Sequence, residues 1–169
     1  MKIAILFVTF VSVYLAARYL SFAISRLKLL AIRDEICIDR FKPRHKICDK
    51  ALLSYYSIAM LVHLWGCALL SSLAFDFSIP TNVIVIVSSI IVGLLIFQII
   101  YRVALEKKYD LIKFYIDLIN ARSKLDVVSK DNDHEVNYIR VYDEFVSEKK
   151  WDIIWALYVV FLTAIFFVK

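Results

Sequence analysis

Two runs of twenty-five residues without a formal charge, 51–75 and 77–101, separated only by Asp76, limit what this chain can fold into more than any other feature. A helix of about 20 apolar residues crosses a hydrocarbon core of about 30 Å, and lipid offers no partner to an unpaired backbone amide, so both runs are predicted to be membrane-spanning helices. Two further stretches fit the pattern. Residues 3–25 are apolar except for Arg18, and residues 151–168 carry only Asp152 as a charge, with Trp151 and Trp155 suited to the headgroup level. With 62% hydrophobic residues and only two Gly and two Pro, the expected fold is an all-α membrane protein. Its four transmembrane helices carry helical cytoplasmic extensions that form an antiparallel hairpin.

The segments between the spans set the expected orientation. Arg26, Lys28, Arg33, Arg40, Lys42, Arg44, Lys46 and Lys50 crowd residues 26–50, whereas Lys2 stands before the first span and Asp76 after the second. Basic residues flanking spans stay on the cytoplasmic side, so both termini are predicted outside and both long loops inside. The divisions are a first span over 1–25, a basic cytoplasmic segment over 26–50 and a second span over 51–75. An outer loop at 76–81, a third span over 82–104, a cytoplasmic hairpin over 105–150 and a fourth span over 151–168 complete the chain. A secretory signal peptide is the competing reading of the first span, with Ala16 and Ala17 near its end, but cleavage would strand the basic segment outside. Cys37 and Cys48 then face a reducing compartment and Cys67 lies in the membrane, which argues against disulfides.

The stretch "LEKKYDLIKFYIDLINARSKL" keeps a helical period after the charges return. At about 100° per residue, Glu106, Asp110, Lys113, Asp117, Asn120 and Lys124 share a narrow stripe, while Tyr109, Ile112, Tyr115, Ile116, Leu118 and Ile119 lie on the broad apolar remainder. With no Gly or Pro between them, the third span and this stretch are predicted to form one helix. Asn132 and Glu135 resemble a capping box opening a second helix, whose apolar face includes Tyr138, Tyr142 and Phe145. The two helices would cover each other in part. Further cover would come from a helical continuation of the first span over 26–41, stopped by Pro43, or from another polypeptide. These apolar residues are therefore candidates for a surface binding either a second copy or a cytosolic protein; the alternative is an ordinary packed bundle.

Arg26, Arg33 and Arg40 recur at seven-residue spacing, and with Lys42, Arg44 and Lys46 they form a basic face. It could meet acidic residues, anionic lipid or solvent. Without a recognisable binding module, the pattern argues against direct nucleic-acid recognition. Small residues Ala17, Ser21 and Ser25, and Ser89 with Gly93, would allow close helix packing. Inside the spans, Arg18, His63, Gln98 and Asp152 are the polar candidates, since intramembrane polar groups need protein or water partners. Arg18 lies about 10 Å inside the cytoplasmic boundary, and the lean of helical side chains toward the N-terminus makes snorkelling to that boundary awkward; Gln98 and Asp152 are its expected partners. His63 could gate, sense pH or bind an ion, or simply hydrogen-bond to a neighbouring helix.

Motifs for chemistry are missing: no Gly-rich phosphate loop, G-x-S-x-G elbow or H-E-x-x-H occurs, so neither an enzyme nor a cofactor is expected. Cys37, His45 and Cys48 lack the paired spacing of a zinc site. In layout, the four spans, the basic first loop and the hairpin of "LEKKYDLIKFYIDLINARSKL" with "YIRVYDEFVSEKKW" resemble the small four-helix membrane subunit of Kiwa phage-defence systems. They are also similar, to a lesser degree, to compact membrane immunity proteins that protect against pore-forming colicins. The first resemblance implies an oligomeric sensor in the bacterial inner membrane that holds a cytosolic effector. A small channel or transporter using Arg18, His63 and Gln98 is the alternative from a different class.

Overall fold

The computed structural model describes residues 2–36, 42–75, 77–110, 113, 116–117 and 144–168. The described residues are all-α, arranged as helices α1 (Lys2–Ile36), α2 (Lys42–Phe75), α3 (Thr81–Tyr109) and α4 (Lys149–Val168). All four apolar segments are long enough to cross a membrane, the fourth including the helical residues from Glu144 that precede α4. The chain is a multi-pass membrane protein.

Its outside is as greasy as its inside. Phe7, Phe10, Tyr14, Phe97, Ile100, Leu157 and Phe161 are all exposed, the arrangement expected when lipid rather than water is the solvent. α1 packs mainly along α2, and α3 mainly along α4, with α2 also touching α3 and α4. On α1 the inward residues are Ser12, Ala16, Tyr19, Ala23 and Arg26. This four-three alternation of small and large side chains lets α2 approach closely along a coiled-coil-like seam. Ala17, Ser21 and Ser25, which the sequence offers as a packing stripe, point outward instead, as do Ser89 and Gly93 on α3. A Cβ added at Gly93 would meet no atom within 4 Å.

Three apolar layers fill the bundle. At the Arg26 end, Ala23, Cys48, Ala51, Leu52, Tyr55 and Phe145 pack together. Ile58, Val62, Ile91, Leu95 and Val159 form the middle. Leu69, Leu70, Ile84 and Leu162 close the other end, beside the 77–80 turn.

Two helix limits correct the sequence reading. α1 continues past the first span, as its periodicity predicts, but Pro43 lies in the first turn of α2 rather than acting only as a stop. A proline there loses no helical hydrogen bond because the first-turn N–H groups have no intrahelical acceptor. Likewise, α3 does not run on unbroken into the 105–125 stretch. It ends at Tyr109, where Asp110 takes a left-handed conformation (φ 46°) and donates its backbone N–H to the Glu106 carbonyl. Asp tolerates this conformation better than most residues, so a helix can stop without Gly or Pro. Most of the expected 105–150 hairpin lies outside the described residues.

Candidate functional site

Charge is concentrated at one level of the bundle, where the membrane spans meet the segment that returns into α4. Arg102, the residue immediately after the second uncharged run, is fully buried. Its Nη1 donates to Asp152 Oδ2 at 3.0 Å and its Nη2 to the Phe145 carbonyl at 2.6 Å. The Tyr55 and Phe145 rings lie 5.4 and 4.8 Å from its Cζ. A guanidinium is suited to this position because it is planar, stays charged and can both hydrogen-bond in its plane and stack on aromatic faces.

A second ion pair stands beside the first. Arg26 of α1 is buried, with Nη1 3.1 Å from Asp49 Oδ1 on α2 and Nη2 paired with Glu144. The Tyr56 hydroxyl donates to the same Glu144 carboxylate at 2.5 Å. The residues at 144 and 145 are thus tied to α1 and α2 through Arg26 and Tyr56, and to α3 through Arg102. Neutral polar groups continue the layer: Ser54 donates to Gln98 Oε1 at 2.9 Å, and Gln98 Nε2 donates to the Ala51 carbonyl at 3.1 Å.

This geometry revises several sequence expectations. Gln98 and Asp152 are indeed buried, but neither pairs with Arg18, which lies exposed on the outer face of α1. Arg102 takes Asp152 and Ser54 takes Gln98, since those residues face each other across the bundle. Arg26 does not belong to an outward basic face; it turns inward to Asp49 and Glu144. Phe145 is not available as a partner surface because it is buried in the chain's own core. Tyr109 packs partly against that core, whereas Ile116 is half exposed. Lys46 is partly buried and also makes an interaction. Ile112, Tyr115, Leu118, Ile119, Tyr138, Tyr142 and Arg40 lie outside the described residues, as do the side chains of Arg33, Lys42 and Arg44.

His63 occupies a different setting, in the middle of the bundle. Its ring stacks on Tyr19 (centroids 5.5 Å apart, 9° between planes) and meets Trp155 edge-on at 4.6 Å. Neither ring nitrogen has a hydrogen-bond partner, contrary to the expected bond to a neighbouring helix. The adjacent helices present aromatic faces to it, which favour flat packing rather than an acceptor.

Farther along, a chain of neutral groups crosses three helices. Trp65 Nε1 donates to Ser88 Oγ at 3.0 Å, and the Thr163 hydroxyl lies 2.7 Å from Ser88 Oγ and 2.8 Å from the Val159 carbonyl. Ser12 and Tyr158 hydroxyls approach to 3.3 Å. The sequence reading passed over these side chains because hydroxyls and indoles are ordinary within spans; a shared depth across different spans is the signal that could have grouped them.

As for zinc, Cys48 is buried in the core, and among the described residues no group of three His, Cys, Asp or Glu side chains could hold a metal ion. No protein family, curated protein or solved structure matches this chain. The site therefore has to be interpreted through its own geometry: a membrane bundle whose ionised side chains join all four helices at one end.

Proposed function

We propose that this protein is a non-enzymatic scaffold and sensor of the bacterial inner membrane, which assembles into oligomers and holds a cytosolic effector on its 105–150 segment. The reading includes a role in anti-phage defence, which rests on the resemblance of the sequence layout to Kiwa-type membrane subunits. The observation supporting it is the ionic layer: Arg26 and Arg102 hold the Glu144 and Phe145 backbone segment against α1, α2 and α3. A disturbance that shifts a span must either carry residues 144–145 with it or break a buried charge contact, which costs about 3–5 kcal/mol. Such a junction transmits motion between the bilayer and whatever the cytoplasmic segment binds. The test is purification in mild detergent with the product of the adjacent gene. A stable oligomer bearing that product supports the reading; a monomer that leaves it behind contradicts it.

A second reading, a small ion or proton conductor, is favoured by the buried and unpartnered nitrogens of His63. Liposomes containing the protein would then show a flux that His63→Ala changes. Equal flux in protein-containing and empty liposomes removes this reading.

A further inference from the structure

Arg18 is exposed within the first span, among the apolar side chains of α1. A charged side chain facing lipid is costly unless it reaches polar groups. Its guanidinium lies over the ring of Phe22, 5.3 Å from the centroid. Phe22 is one turn farther along α1, on the Arg26 side of Arg18, so the two side chains share one exposed strip of the helix. Ser21, Ser25 and Lys28 continue on the same exposed side of the helix, and the Ser25 hydroxyl is turned back onto the Ser21 carbonyl.

We propose that this face of α1 binds the phosphate of an anionic phospholipid in the leaflet at the Arg26 end, with Arg18 as the principal contact. Charge complementarity selects lipid over a second copy of the chain. Among the described residues no carboxylate lies within ion-pair distance of Arg18; Asp49, Glu144 and Asp152 are committed to Arg26 and Arg102 inside the bundle, and Glu148 is turned inward to the Tyr55 hydroxyl. Among the described residues, a second copy would therefore bring no spare carboxylate at this depth. A lipid phosphodiester brings an anion that two guanidinium N–H groups can bind side by side, while its acyl chains cover the exposed Phe22 and Leu29. The inference does not depend on effector docking or on which end of the protein is cytoplasmic.

The test uses the full-length protein in bilayers of phosphatidylcholine and phosphatidylglycerol, with the same composition in both leaflets. Spin-labelled analogues of the two lipids report which one associates with the protein. Wild type should prefer phosphatidylglycerol, and Arg18→Gln should lower that preference about fivefold, with Arg18→Lys falling between the two because it keeps the charge but not the paired N–H donors. A preference unchanged in Arg18→Gln overturns the proposal. Independently of any variant, photoactivatable phosphatidylglycerol should crosslink wild-type protein within residues 18–28. Adducts confined to other segments, or efficient chain-to-chain disulfides through Ser21→Cys and Ser25→Cys that exclude lipid from this face, also overturn it.

Discussion

The two ends of the bundle use polar groups in opposite ways. At the Arg26 end, ionised side chains meet largely out of solvent: Arg102 with Asp152, and Arg26 with Asp49 and the partly exposed Glu144. Toward the other end, Trp65, Ser88 and Thr163 connect α2, α3 and α4 through neutral hydrogen bonds only. Neutral groups can find other partners when a helix shifts, so bonds of this kind contribute little, about 0.6 kcal/mol each. An ion left without its counter-charge has no such substitute. The hydroxyl end can therefore slide, while the ionic end must move as a unit.

Substitutions can break that contrast, beginning with its strongest element. Arg102→Ala strips Asp152 of its partner and opens a cavity beside Tyr55, so detergent unfolding should show a loss of about 3–5 kcal/mol. Arg26→Ala should cost less, about 2 kcal/mol, because Asp49 keeps a further interaction and Glu144, partly exposed, can gain water in place of the lost cation. Gly66→Ala examines packing between these ends. Its new methyl would come within 2.7 Å of the Tyr158 hydroxyl and 3.1 Å of Cε1, an overlap expected to cost about 1–3 kcal/mol and to be relieved in part by Tyr158→Phe. Thr163→Val keeps the shape and removes one hydroxyl from the neutral chain, with an expected loss of about 0.6 kcal/mol. A Thr163→Val loss as large as that of Arg102→Ala would erase the distinction between the two ends.

Span number was readable because lipid imposes a blunt requirement, long runs without charge, which 51–75 and 77–101 meet without exception. The inward role of Gln98 and Asp152 was also readable, since a polar group inside a span needs a partner. Their partners were not. Arg26 and Arg102 sit at span ends, where basic residues ordinarily mark the cytoplasmic flank, and that common role concealed their burial. Periodicity places residues on a helix face but does not say which face meets a neighbour; thus Ala17, Ser21 and Ser25 formed as plausible a seam as the observed Ser12, Ala16 and Ala23. Opposite charges at equal depth on different spans, as with Arg102 and Asp152, were the unused clue. Asp110 ended α3 through a backbone conformation that composition does not specify.

The Arg102–Asp152 contact acts as a matched pair holding α4 to α3. A double-mutant cycle of Arg102→Met and Asp152→Leu, followed by reversible unfolding in bicelles, measures it directly. Each single change should destabilise strongly because it leaves one buried charge, and the double change should recover at least half of the larger single loss. Losses that simply add would show that the two residues act independently, and would contradict the claim.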